Sequence, residues 1–447
     1  MRIYKSPIKK KSLLQKYIVF SFKKKIIIKL IFFLFIGGSF LIPLDLFRSK
    51  SSSLKLIAQV ISRSASKIDP KYGFLSIDVM SLGDNLFGIS QRYLNSFFNN
   101  PDELEINLKL KNYKKIRQLR NKAIRESKLI RSNGDKVGGF LSYKGKNFPI
   151  KLRLKGDWAD HLTGEKWSFR VETKKDSTFL GMREFSLQHP RTRNYISEYL
   201  FHRFLEYEGL PFLRYKFLPV SINGNYLGIY SLEEHFSKEL IENSKFREGP
   251  ILKLSDKDLR NEWNRKDIQK ISSEDKTVIK GYLNTNQNNS QIQTFNVEKI
   301  AKNEKKLSQF QLGFNLLNEF LKQNKKTSEV FDISMTAKYF AISDLLQALG
   351  ANTWYDMRFY FNPITSRLTP IGYDAQIEYI QENRSLSIDQ NTLKIFEDPI
   401  FISNYIFELN RITKKDYLEN FLKSISNDLK KETSVINKSF PFVNFDP

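Results

Sequence analysis

Residues 221–235 read Ser-Ile-Asn-Gly-Asn-Tyr-Leu-Gly-Ile-Tyr-Ser-Leu-Glu-Glu-His. Asn223 and Gly224 tolerate the left-handed backbone of a two-residue turn, so this stretch predicts a hairpin joining strands over 217–222 and 226–232. A second hairpin is expected upstream, where Lys144-Gly145-Lys146 separates 139–143 from 148–154. Further strands are expected over 74–80, 104–110, 169–173 and 184–187. Asn362-Pro-Ile-Thr365 sets a third hairpin between 358–361 and 368–372. Helical spacing of apolar residues marks 84–98, a charged helix over 113–130 (Ile116, Leu119, Ala123, Ile124), 196–205 ending near Gly209, 302–323 (Leu307, Phe310, Phe314, Leu317, Phe320) and 336–349. Hairpins mixed with helices, without alternating strand–helix–strand units, argue for an α+β fold.

The chain has 447 residues, 40% hydrophobic and 14% aromatic, enough for a packed core and against wholesale disorder. It contains no Cys, which excludes disulfides, thiolate metal sites and a Cys nucleophile. The four His residues form no His-x₃-His pair, so a zinc site is not expected. No Walker A loop, Gly-rich kinase loop or Gly-x-Ser-x-Gly elbow is present.

The net charge of +25 is uneven. Residues 1–25 hold nine Lys/Arg and no acid, directly before an apolar run over 26–44. Nineteen helical residues span about 28 Å, close to a bilayer's hydrocarbon core. Basic residues on one flank orient such a segment with its N-terminus inside, and they fit a topology signal better than a nucleic-acid arm. The expected order is a basic cytoplasmic tail (1–25), a single transmembrane anchor (26–47), with a cleaved signal peptide as the lesser alternative, a juxtamembrane and N-terminal α/β region (48–137), a main domain (138–390) and a helical C-terminal extension (391–447). The main domain would then lie outside the cytoplasmic membrane.

Several segments carry possible chemistry. Lys155-Gly156-Asp157 is a turn after the strand Ile150-Lys-Leu-Arg-Leu154. Lys166-Trp-Ser-Phe-Arg170 alternates two cations, and Ile251-Leu-Lys253-Leu adds a third. The late segment runs Asn352-Thr-Trp-Tyr-Asp356 and then Pro370-Ile-Gly-Tyr-Asp374. In this order the segments resemble the CotH kinase family, the spore-coat protein H-like atypical kinases, across residues 138–378. The resemblance implies an atypical protein-kinase-like domain using ATP and Mg²⁺. It implies that Lys155, Lys166, Arg170 and Lys253 bind the nucleotide's phosphates, that Asp374, Glu234 and Asn352 hold the metal, and that Asp356 orients the acceptor beside Asp374. Glu234 is preferred to Glu233, which faces the other way if the strand continues. Ile371 and Gly372 stand where the family usually carries Trp and Asp, so one acidic ligand is absent.

Two functions follow as expectations. One is a membrane-anchored kinase transferring phosphate from ATP to a hydroxyl of a protein or envelope glycan. The other is a catalytically inactive, kinase-like binding or assembly module for envelope or surface polysaccharide. The missing acid and the scarcity of ATP outside the cytoplasm favour the second. A further envelope enzyme acting on glycan is a weaker alternative. The partners expected are the membrane and the protein or glycan acceptor, with no nucleic acid.

Overall fold

The computed structural model describes residues 86–443 except 127, 131, 133, 157–158, 163, 175–176, 255–291 and 378–389. The basic tail, the apolar run and the expected strand over 74–80 lie outside the described residues. Among the described residues no helix is long and apolar enough to cross a membrane.

The chain divides into two compact units. In the first, α1 (Leu86–Phe97) meets residues 437–442, where Arg92 Nε donates to the Pro441 carbonyl at 2.8 Å. The second, from residue 100 to 436, carries the α+β fold. Its elements begin β1 (Leu104–Asn107), α2 (Leu110–Arg125), β2 (Val137–Tyr143), β3 (Lys146–Leu154), β4 (Phe169–Thr173), β5 (Glu184–Gln188), α3 (Ser197–Tyr207), β6 (Tyr215–Ile222) and β7 (Asn225–Glu234). They continue with α4 (Lys238–Asn243), β8 (Ile251–Leu254), β9 (Ile292–Thr294), α5 (Val297–Ala301), α6 (Glu304–Leu321), α7 (Thr327–Val330), α8 (Ile333–Leu345), β10 (Arg358–Asn362) and β11 (Arg367–Ile371). Three helices follow, α9 (Gln390–Ile395), α10 (Pro399–Ile412) and α11 (Lys415–Asn437).

All three expected hairpins form, as β2–β3, β6–β7 and β10–β11. Among the described residues, seven strands close into a barrel in the order β1-β2-β3-β4-β5-β7-β6. A parallel β1–β6 pairing seals it, Glu105 opposite Ser221, which leaves no open sheet edge. Asn223 serves twice. Its φ of +50° makes the β6–β7 turn, and its side-chain oxygen accepts from the Leu108 amide at 2.7 Å, where β1 ends. The helix expected over 113–130 therefore starts earlier, at Leu110. Inward residues such as Ile150, Leu152, Phe169, Val171, Phe185 and Leu187 fill the barrel.

The second half builds a four-stranded sheet, β11-β10-β8-β9. Helices α6 and α8 pack on it, and α10 packs on α8, whereas α11 reaches the barrel, its Glu432 accepting from the Phe217 amide of β6 at 2.8 Å.

Phe185 is fully buried at the barrel's centre, with its ring 5.3 Å from that of Phe179. Phe185→Ala is expected to destabilise the protein by about 3–5 kcal/mol through lost burial and a residual cavity, read as a lowered midpoint in denaturant unfolding.

Candidate functional site

Strand register places the site. Successive strand residues face opposite sides, so the pairings Arg153–Arg170, Arg170–Ser186, Ser186–Glu233 and Glu233–Tyr215 draw one row across the barrel's outer face. Lys155 extends β3 by one pairing, its amide donating to the Ser168 carbonyl at 2.8 Å. Its side chain therefore joins the same face. Lys155 Nζ donates to Gln188 Oε1 at 2.6 Å and Glu233 Oε1 at 2.9 Å. Gln188 Nε2 donates to the other Glu233 oxygen at 2.6 Å.

The next contribution comes from a 3₁₀ turn, Pro190–Arg193, capped by the His189 ring accepting from the Arg191 amide. Arg193 is buried and uses all three guanidinium nitrogens on the site. Nε meets Glu233 Oε2 at 3.1 Å, Nη1 meets Asp374 Oδ1 at 2.8 Å, and Nη2 donates to the Tyr373 hydroxyl at 3.0 Å. Burial works against the charge on Glu233, yet Lys155 and Arg193 hold it well below the usual carboxylate range.

Asp374 follows β11 in a tight loop with φ +57°. Glu198, on the first turn of α3, accepts from the Asp374 and Ala375 amides at 3.0 and 2.9 Å and fixes that loop. Residues 349–357 dock against it through Gly350. The Gly350 amide donates to the Ala375 carbonyl at 3.2 Å, and a Cβ there would stand 2.3 Å from the Asp374 carbonyl oxygen. Only glycine permits this approach. The same loop carries Asn352 and Asp356. Thr353 Oγ1 donates to Asp356 Oδ2 at 3.1 Å. Burial and the neighbouring Asp374 raise Asp356 to about 7. Burial raises Asp374 as well, against the pull of Arg193.

Two features fit an anionic ligand and a cation. Arg170 is 7% exposed, and its Nε and Nη1 make no hydrogen bond, the nearest carboxylate being Glu184 at 3.8 Å. Asn352 Oδ1 is likewise buried without a hydrogen-bond partner. Among the described residues no cluster of three or more His, Asp or Glu forms a ready metal cage. A cavity of about 800 Å³ is walled by Glu184, Phe236, Gly249 and Phe295; Glu184, 3.8 Å from Arg170 Nε, links it to the site, and Lys155, Arg170, Asp356 and Asp374 do not line it.

The structure thus gathers Lys155, Arg170, Asp356 and Asp374, with Asn352 on the Asp356 loop. Three expected residues stand apart. Glu234 lies on the same strand face as Phe185, and Arg214 clamps it through Nε at 2.9 Å, a closer Nη2 contact and the Arg214 amide. Of the two, Glu233 is the one whose carboxylate meets Lys155 and Arg193. Lys166 precedes β4, so strand alternation does not carry it to the face of Arg170. Its Nζ donates to the Ile229 carbonyl at 3.1 Å, and burial lowers it to about 7. Lys253 lies 5.1 Å from the Phe295 ring, one cross-strand position from Arg358. Asp157 lies outside the described residues. Arg193 and Glu198 were not anticipated. They sit in a short turn and on a helix face, where apolar periodicity gives no signal.

Gly372 explains the absent acid. A Cβ there would meet Phe201 at 2.4 Å and Leu205 at 2.6 Å, both on α3. The space a side chain would need is filled.

A cation- and acid-lined face on a strand domain, opposed by acids from a loop and a post-hairpin turn, defines a kinase-like site. The family model for CotH kinase protein matches residues 152–437, more than half of the chain. The chain belongs to the CotH kinase family. No curated protein matches it.

Gly372→Asp, which would restore the family's usual acid, is expected to destabilise the protein by about 1–3 kcal/mol through overpacking, read by thermal unfolding. A pH dependence also follows. The folded Asp356, near 7, exceeds its unfolded value of about 3.9. Its contribution is fully present below about pH 4 and is lost as pH rises through 7. Without divalent cations, the melting temperature of Asp356→Asn should fall less between pH 5 and 8 than that of the parent.

Proposed function

We propose that this chain is a membrane-anchored atypical kinase that transfers phosphate from ATP to a hydroxyl of a protein or envelope glycan. The observation carrying this reading is the paired arrangement of Lys155 with Glu233 and of Asp356 with Asp374, set around the unsatisfied N–H groups of Arg170. Phosphoryl transfer needs little more than cations on the phosphates, acids for Mg²⁺ and a group orienting the nucleophile. Lys155 and Arg170 would hold phosphate oxygens. Asp374 and Asn352 would hold Mg²⁺. Mg-ATP supplies the phosphoryl group when bound. Asp356 accepts the proton of the acceptor hydroxyl, and a value near 7 suits that role at neutral pH. Glu234 and Lys166 have no part in this assignment, because Arg214 and the Ile229 carbonyl engage them, and Lys253 lies instead beside Phe295, which is in the cavity wall. Residues 26–47 would anchor the chain in the cytoplasmic membrane, with the N-terminus inside and residues 100–436 on the outer side.

A second reading is favoured by one observation. Position 372 has neither a carboxylate nor room for one. An inactive module that binds envelope polysaccharide would tolerate this loss.

The test is the melting temperature of the full chain in detergent with Mg²⁺, with and without ATP, beside Asp374→Asn. At a hundred times its Kd a ligand stabilises by about 2.7 kcal/mol, a rise of a few degrees. The kinase reading expects that rise in the parent and its loss in the variant. It also expects radiolabel from ATP to reach an envelope fraction, with an acid limb near pH 7. A folded parent unmoved by millimolar Mg-ATP would leave the binding module.

A further inference from the structure

Helix α2 has a charge pattern that the kinase site does not use. Its sixteen residues include seven Lys/Arg and no acid, and no side chain caps its N-terminus. At 3.6 residues per turn, Lys111, Lys114, Lys115, Lys122 and Arg125 fall within roughly a 100° arc. Ile116 and Ala123 lie on the opposite side and are buried, while the five cations are exposed.

A solvated helix face ordinarily mixes signs at three- and four-residue spacing. Here Lys111 faces Lys114 and Lys115, and Lys122 faces Arg125. Lys109 and Lys111 also stand at the helix's N-terminal end, where the backbone dipole disfavours cations. Within the stripe, Lys122 reaches Glu126 at 3.9 Å, and Lys115 reaches only a carbonyl, that of Gly134. The pattern opposes local stability, which marks a surface shaped for something outside the chain.

Exposed apolar side chains occur at both ends of the helix and on the neighbouring strand. Leu110 precedes it at 66% exposure, and Ile130 follows it at 58%. Phe140, 53% exposed, lies two residues along β2 from Gly138, whose carbonyl accepts from Asn112 of α2. A soluble polyanion would engage the cations and leave these apolar groups in water. An anionic bilayer takes both, phosphates at the cations and the headgroup–acyl boundary at the apolar side chains. We propose that α2 is a docking face for an anionic phospholipid surface. This inference rests on the described fold and stands whether or not residues 26–47 anchor the chain.

The chain lacks Cys, so Gln118→Cys in the middle of the stripe gives a single labelling site. The full chain, fluorophore-labelled there, is placed in nanodiscs of phosphatidylcholine alone or with one third phosphatidylglycerol, each holding a headgroup-attached quencher. Docking predicts several-fold stronger quenching in the anionic discs, lost at about 0.5 M NaCl, where screening is nearly complete at these distances. Combining Lys111→Gln, Lys114→Gln, Lys122→Gln and Arg125→Gln should reduce it to the neutral-lipid level. Salt carries the test if that variant does not fold. Equal quenching in both lipids overturns the proposal. So does anionic-disc quenching that persists in high salt, or protection of the label by dextran sulfate and not by lipid. If the chain enters neither disc, the anchor reading fails separately, and the same label is read against preformed vesicles of the two compositions, with the same outcomes deciding.

Discussion

The Arg193 bridge is the interaction on which the site depends. One buried guanidinium joins Glu233 of the barrel to Asp374 of the loop after β11 and adds the Tyr373 hydroxyl. Three carboxylates, Glu198, Glu233 and Asp374, converge in this region, and buried acids without a counter-charge would take up protons instead. Arg193 keeps Glu233 ionised, and an ionised Glu233 keeps Lys155 extended towards the site rather than folded back on its own strand. The bridge is therefore electrostatic and geometric together. Its planar fork fits two carboxylates and a hydroxyl at once, which a lysine's point charge cannot do.

The backbone around this bridge adopts costly conformations. Asn194, Tyr195, Asp374 and Gln376 all have φ between +46° and +57° without being glycine. Side chains in this region are strained unless neighbouring contacts over-determine them. Those contacts exist. Glu198 takes two amides of the Asp374 loop, and Asn194 Nδ2 donates to the Ile377 carbonyl at 2.6 Å. The strained residues thus lie on the two segments that Arg193 joins, so the loop cannot relax without losing its acid's position.

How much of this was legible follows from where each residue sits. Asn223-Gly224, Lys144-Gly145-Lys146 and Asn362-Pro363 announce hairpins because turn chemistry is local, and all three form. A family-like order of motifs singles out Lys155, Arg170, Asp356 and Asp374, which the fold brings into one region. The motif position favours Glu234, and burial along the strand does not separate it from Glu233. β7 is buried on both faces from Gly228 onward, so the alternation that tells inside from outside is absent. Lys166 stands apart because β4 begins only at Phe169, and strand alternation does not reach back to it. Closure of the barrel through the parallel β1–β6 pairing, between segments more than a hundred residues apart, has no local signature.

Gly372 bears on what the site has become. Phe201 and Leu205 of α3 occupy the volume that an acid at this position would use, and Glu198 of the same helix fixes the loop by backbone hydrogen bonds. One helix therefore removes a carboxylate from the loop and stiffens what remains. A metal held by fewer acids gains from such stiffness, because a ligand set already in position loses less entropy on binding. Arg170 Nε and Nη1 have no hydrogen-bond partner within the protein, and an anion or a buried water would complete them in either reading. Glu198 holds the Asp374 loop by its backbone in either case, which places that carboxylate within the Arg193 charge network.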